Sequence, residues 1–224
     1  MGLTKRSLMV RRLGLQPYND VYQAMRKFTE SRNAKTADEL WLLEHRPVFT
    51  QGMTDNRAHI LSPGEIPVIK SDRGGHVTYH GPGQLTAYAL LDLKRRKLGV
   101  RQLVSHLENA ILRTLMDWQV EGHTRDAAPG VYVENAKIAS LGLRIRRGCS
   151  YHGLNFNVDM DLSVWQRINA CGMNVTMTQL RDVLSTPIKC CDVANRLLHH
   201  FCLLLNYEAS QTDSVTPSAI TANL

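Results

Sequence analysis

At 224 residues with 43% hydrophobic side chains, the chain is long enough for one domain with a sizeable core, and no apolar run reaches transmembrane length. Its five cysteines, Cys149, Cys171, Cys190, Cys191 and Cys202, follow no regular spacing, which argues against a disulfide framework and for a reducing compartment. The net charge of +7 gathers at Lys94–Lys97 and Arg144–Arg147 and leaves three readings open: a solvated face, a nucleic-acid site or a dock for an acidic protein.

The N-terminal MGLTKRSLMVRRLG has no sustained apolar region and no small-residue cleavage site, so no secretory signal is expected and the location is read as cytoplasmic. Leu8–Leu13 reads as a strand. Pro17–Arg32 reads as a helix, with Val21, Met25 and Phe28 at helical spacing and Pro17 in the first turn. Leu40–Glu44 is a short strand ending near Pro47, Val48–Gly52 leads into a polar loop, and Ile66–Ile69 is a strand aimed at a glycine-rich loop. Leu85–Leu91 is apolar and strand-like. Val100, Leu103, Val104, Leu107, Ile111, Leu115 and Trp118 make the apolar stripe of a helix over Val100–Trp118. Val131–Val133 and Ile138–Leu143 are strands joined by the hairpin turn Glu134-Asn135-Ala136, and Leu154–Val158 is a third strand of that group. Val193, Leu197, Leu198, Phe201 and Leu205 stripe a C-terminal helix. Residues 1–207 are expected to form a single domain and the polar residues 208–224 a disordered tail. Strands interleaved with helices and hairpins indicate an α/β or α+β fold with a mixed sheet.

Chemistry concentrates in three segments. Arg73–Tyr88, RGGHVTYHGPGQLTAY, carries a fork of donors at Arg73, a glycine pair that lets backbone approach a ligand, and His80, which can donate or accept. His80 is equally suited to pinning the loop and to a direct role. NAKIASLGLRI contains Lys137, which the residues alone would leave facing solvent beside a turn. INACG contains Cys171, in a turn before a glycine; a buried free thiol is the common fate of such a residue. Cys149, beside Arg146 and Arg147, is the rival nucleophile. Cys202 reads as core. No CxxC pair exists and His199-His200 diverge on a helix, so no metal site is expected. Against nucleic acid, only 6% of residues are aromatic and no stacking cluster lies near Lys94–Lys97.

From about Leu8 to Cys171, in order, the chain resembles the octanoyltransferases of lipoate biosynthesis. The resemblance rests on the pattern RGG-x-x-T-Y-H-x-x-G-Q-x-x-x-Y at Arg73–Tyr88, APGVY at Ala128–Tyr132, KIASLG at Lys137–Gly142, HGL at His152–Leu154 and the pair Cys171-Gly172. It implies the mixed sheet flanked by helices of the biotin- and lipoate-protein ligases. It also implies transfer of an octanoyl group from acyl carrier protein to a lysine of a lipoyl domain, those of 2-oxoacid dehydrogenase complexes and the glycine cleavage H protein. Cys171 would be the nucleophile carrying an acyl-thioester. Lys137 would stabilise its thiolate and shuttle protons. Arg73, Gly74, Gly75, His76, Val77, Thr78, Tyr79 and His80 would form the acyl-pocket loop, completed by Ser140, Leu141, Gly142, Gly153, Leu154 and Asn155, with Tyr79, Leu141 and Leu154 as apolar walls. No cofactor and no ATP are implied, because the substrate carries its octanoyl group on phosphopantetheine. Acidic carrier proteins and lipoyl domains favour the docking reading of the basic runs, with no nucleic-acid or membrane partner and a monomer expected. Ala170 departs from the proline often found there, loosening the turn before Cys171. The alternative is an ATP-dependent lipoate- or biotin-protein ligase, which shares a GG-x-x-Y/F-H loop and a KI-x-G lysine; His80-Gly81-Pro82, Gln84 and Cys171-Gly172 favour the transferase.

Overall fold

The computed structural model describes residues 5–54, 59–126, 128–170 and 175–212, the last two by main chain alone. In chain order the elements are β1 (Arg6–Gln16), α1 (Tyr18–Ser31), β2 (Asp38–His45), β3 (Val48–Gln51), β4 (Val68–Lys70), β5 (Thr78–His80), β6 (Gln84–Leu90), α2 (Leu93–Arg96), α3 (Val100–Met116), β7 (His123–Thr124), β8 (Gly130–Val133), β9 (Ala136–Arg146), β10 (Cys149–Asn157), a 3-10 helix (Leu162–Arg167), α4 (Leu180–Leu184), α5 (Cys190–Leu205) and β11 (Tyr207–Thr212).

An eight-stranded mixed sheet, in the order β11-β1-β2-β6-β10-β9-β8-β7, forms the centre, and a small sheet, β4-β3-β5, stands beside it. β6 lies in the middle of the large sheet and is buried along its whole length, so its residues from Leu85 to Leu90 are apolar on both faces apart from Thr86. α1 lays Val21, Met25 and Phe28 over Trp41, Leu43, Tyr88 and Leu90 on one face. On the other face, α3 and α5 bury Leu103, Leu107, Ile111, Leu197 and Phe201 against Leu40, Leu85, Leu154 and Phe156. Two faces covered by amphipathic helices explain why the sheet can be both large and apolar.

The small sheet divides its residues by strand alternation. Phe49 and Tyr79 pack on Trp165 in a third cluster with Val77, Ile168 and Ala170. Thr50 and His80 turn the opposite way, into a polar network described below.

The sheet's strands outrun the sequence expectations where charged residues enter them. β9 continues through Arg144 to Arg146 and turns at Arg147-Gly148, both at positive φ, into β10. The basic run Arg144–Arg147 is thus one end of a β-hairpin. The tail expected from Glu208 begins instead as β11, paired parallel to β1 from Arg6↔Tyr207 to Arg11↔Thr212. Tyr207 anchors it: the ring stacks on Phe201, its hydroxyl donates to Asp38 at 2.6 Å, and the Arg96 guanidinium lies 4.2 Å from the ring centroid. An edge strand needs partners for its main chain on one side only, so polarity in sequence did not betray it. Residues 213–224 lie outside the described residues.

Candidate active site

A cavity of about 440 Å³ runs between the Arg73 loop and strands β9 and β10. The loop reaches it by crossing the part of β9 that β8 leaves uncovered: Gly74 N–H donates to Leu143 O at 3.0 Å. Gly75 takes φ +84°, and a Cβ on Gly52 would stand 2.0 Å from the Gly75 carbonyl oxygen, so the loop can close only over a glycine.

Arg73 is a strut for this loop. Its Nε donates to Thr50 Oγ1 at 3.0 Å, Nη2 to the Thr50 carbonyl at 2.5 Å and Nη1 to Gly74 O at 3.0 Å. His80 is a second strut. Gln84 Nε2 donates to Tyr79 O and Asn157 Oδ1, which turns Gln84 Oε1 towards His80 Nδ1 at 3.1 Å. Nδ1 therefore carries the proton, and Nε2 accepts from the Thr50 hydroxyl at 3.0 Å. Burial, with His45 and the Arg73 charge nearby, holds the imidazole well below its ordinary pKa and hence neutral. Thr50, on a strand with no sequence motif, joins the two struts and was not foreseen.

Lys137, on β9, is 2% exposed and lines the cavity. Its Nζ donates to Pro129 O at 3.3 Å and sits 5.2 Å from the centroid of the Tyr132 ring. A Cβ on Gly130 would stand 2.6 Å from the Ala139 carbonyl oxygen and 3.1 Å from Lys137 Cε, so a glycine is needed beside both the strand and the lysine. Glu108, on α3, accepts from Gly130 N–H at 3.1 Å, and so steadies the turn whose carbonyl holds Nζ. Burial raises the Glu108 carboxyl, while the Gly130 hydrogen bond and the Lys137 charge pull it down; burial prevails. Nothing in the helical stripe marked Glu108, which lies off the apolar face.

Cys171 lies outside the described residues, as does Gly172. The chain on either side of them reaches the cavity: Ala170 and Met177 both line it. The main chain of Lys137 is bonded to the returning segment, Lys137 N–H to Thr176 O at 2.8 Å and Thr178 N–H to Lys137 O at 3.0 Å. None of the described cysteines lines the cavity. Burial pushes the thiol of Cys149 up, that of Cys190 to about 12 and that of Cys202 to about 11. Cys149 is thus a buried, neutral thiol despite the arginines near it in sequence.

Of the expected pocket residues, Arg73, Gly74, Gly75, His76, Val77, Thr78 and His80 line the cavity, together with Ser140, Leu141, Gly142, Gly153 and Asn155. Tyr79 and Leu154 do not. Each is the odd member of its strand: Tyr79 faces Phe49 and Trp165, and Leu154 faces the α3–α5 core. Tyr18, Tyr88 and His152 line the cavity and were not foreseen as pocket residues. His152 takes φ +59° in mid-strand, an uncommon conformation for a non-glycine residue. Its Nε2–H donates to Asp72 at 3.1 Å. Burial raises the Asp72 carboxyl, but hydrogen bonds from His152 and Tyr151 outweigh it and hold Asp72 well below the usual carboxylate range.

The basic runs are largely structural. Arg95 bonds Asp38 at 2.6 Å and the Thr36 carbonyl at 2.9 Å, and Arg96 donates to Leu205 O. Arg146 pairs with Glu30 at 3.2 Å. Among the described residues no cluster of His, Cys, Asp and Glu could hold a metal ion, and no helix is long and apolar enough to cross a membrane.

The mixed sheet with its helical covers carries a buried lysine in the cavity wall, and residues 17–217 match the family described as the lipoyl protein ligase A/B catalytic domain. Among solved structures, the bipartite lipoate protein ligase of Thermoplasma acidophilum shares the fold at TM-score 0.76 and 13% identity, covering 100% of this chain and 92% of that one. Biotin protein ligase of Aquifex aeolicus shares it at TM-score 0.55 and 12% identity, covering 88% of this chain and 69% of that one. The octanoyltransferase of Vibrio cholerae is 55% identical over 90% of this chain and 93% of its own length, and that of Cellvibrio japonicus 55% identical over 88% and 92%. The chain belongs to the octanoyltransferase family: it is an acyltransferase, and its reaction is octanoyl transfer in lipoate biosynthesis.

Proposed function

We propose that the octanoyl group comes from the phosphopantetheine thioester of acyl carrier protein, rests on Cys171, and passes to a lysine of a lipoyl domain. The observation that carries this reading is Lys137, a buried lysine in the cavity wall whose main chain is bonded to the segment returning from Cys171. The Cys171 thiolate attacks the thioester carbonyl, the bond to the pantetheine sulfur breaks, and the departing thiolate takes a proton from the Lys137 ammonium. The acceptor amine then attacks the Cys171 thioester. A C–N bond forms, the bond to Cys171 sulfur breaks, and Lys137 takes the amine's proton. One thioester is exchanged for another and then for an amide, so the scheme needs no ATP, cofactor or metal ion. The acceptors we assign are the lipoyl domains of 2-oxoacid dehydrogenase complexes and the glycine cleavage H protein, met by a monomer in the cytoplasm.

Intact-mass spectrometry after incubation with octanoyl-carrier protein, without ATP, tests the reading. An increment of one octanoyl group, mapped to Cys171 and discharged by an apo-lipoyl domain, is expected. Transfer that requires ATP and leaves no covalent adduct would favour a ligase instead.

A further inference from the structure

The two ends of the cavity differ in access. At one end Val100 is 45% exposed and Pro129 is open to solvent; at the other, Tyr18, Tyr88, His80 and His152 are buried. The ends lie well apart. Tyr88 pairs with Gly153, which pairs with Gly142, and Gly142 stands five residues along β9 from Lys137. At about 3.3 Å per residue that is roughly 16 Å.

The rings at the blind end are held from behind. The Tyr18 hydroxyl donates to Ser71 Oγ at 2.8 Å, and its ring stacks on His80 at 5.6 Å between centroids. The Tyr88 hydroxyl donates to His45 Nε2 at 2.7 Å, because His45 Nδ1–H is engaged by Gln16 O at 3.1 Å. His152 is tied to Asp72 and lies against the rings of Tyr22 and Tyr88 at 5.5 and 5.9 Å. Moving any of these rings would break a buried hydrogen bond, which costs far more than shifting an apolar side chain.

We propose that this fixed floor of Tyr18, Tyr88 and His152 is a hard stop that sets the length of the acyl chain transferred. The inference rests on the cavity holding the acyl chain with its carbonyl at the Lys137 end. A chain that ends at the rings is accepted. One longer by two methylenes must break the floor's hydrogen bonds or leave its carbonyl displaced from the reacting groups. A wall of unpinned leucines would yield gradually; this one does not.

The test is a ladder of acyl-carrier-protein donors from hexanoyl to tetradecanoyl, read as initial rate of transfer and as mass of the adduct on Cys171. Wild type should show a step of about tenfold or more between the longest accepted chain and the next donor two carbons longer, the scale set by pocket discrimination. Tyr18→Leu and Tyr88→Leu, on different elements, should each move the step to longer chains, and Tyr88→Phe, which keeps the ring but removes the hydroxyl that pins it to His45, should blunt the step without moving it as far. A smooth decline of rate along the wild-type ladder overturns the proposal even if no variant folds. So does an unmoved step in folded leucine variants that still form the octanoyl adduct. Absence of any adduct in wild type would instead remove the thioester reading on which the proposal stands.

Discussion

The two ends of the cavity are built on opposite plans. At the blind end, side chains hold side chains: Arg73 and His80 through Thr50, Tyr88 through His45, His152 through Asp72. At the Lys137 end, main chain does much of the holding: Pro129 O for Nζ, Gly130 for room, and a ladder to Thr176–Thr178 for the strand. A side-chain lattice suits a wall that must not move. Main-chain support suits a group that must exchange protons, because a carbonyl dipole orients an ammonium without fixing its protonation state. The two plans predict separable defects, in chain preference at one end and in rate at the other.

The largest effect falls at the rate end. Cys171→Ala should abolish transfer while leaving the thermal melt unchanged, and a folded variant retaining most of its turnover would end the covalent scheme. Lys137→Met should lower transfer by about 10² or more, the usual scale for losing an acid–base group. It should also shift iodoacetamide alkylation of Cys171 to higher pH, while Lys137→Arg should preserve more thiol reactivity than turnover. Identical alkylation profiles in wild type and Lys137→Met would uncouple the pair.

Glu108→Gln keeps an acceptor for Gly130 N–H but removes the charge. Steady-state kinetics should show a smaller loss than Lys137→Met, confined to kcat, with KM for both protein substrates unchanged; a change in KM alone would place Glu108 at a docking surface.

The blind end should show itself in stability. Burial lowers His45 to about 4 from an ordinary 6.5, so between these values the unfolded chain binds the proton and the folded one does not. Stability from this group is complete above pH 6.5 and is lost as pH falls towards 4, by about 3 kcal/mol in all. Urea melts at pH 7 and 4.5 should show a smaller acid loss in His45→Gln than in wild type. The smallest effect is expected of Arg95→Ala. It should cost about 1–3 kcal/mol, as the Asp38 contact is lost, and leave the salt dependence of carrier-protein KM intact. A KM effect without destabilisation would restore the docking role expected of the Lys94–Lys97 run.

How much of this was legible depended on the kind of contact. The helical stripes of α1, α3 and α5 and the apolar run of β6 announced themselves because their cores are periodic. The Arg73 loop and Lys137 stood out through composition and resemblance. Tyr79 and Leu154 were in the right segments but on the wrong side of their strands; the motif names residues without saying which way the pleat turns them. Thr50, Asp72 and His45 were illegible because each acts by holding another residue far away in sequence, and no local pattern records such a partner. Arg95 and Arg96 showed only their charge for the same reason: Asp38 and Leu205, which they bind, lie 57 and 109 positions away.

β11 closes the sheet by pairing the last described residues with the first. During synthesis on the ribosome, β1 and β2 emerge early and can pair with each other, yet the outer side of β1 must wait for β11 at Tyr207–Thr212. Until Tyr207 leaves the exit tunnel, that side offers a row of unpaired amides to any neighbouring nascent strand. The nascent protein therefore passes through a period of vulnerability that lasts until β11 has emerged, and a truncation just before Tyr207 would make that period permanent.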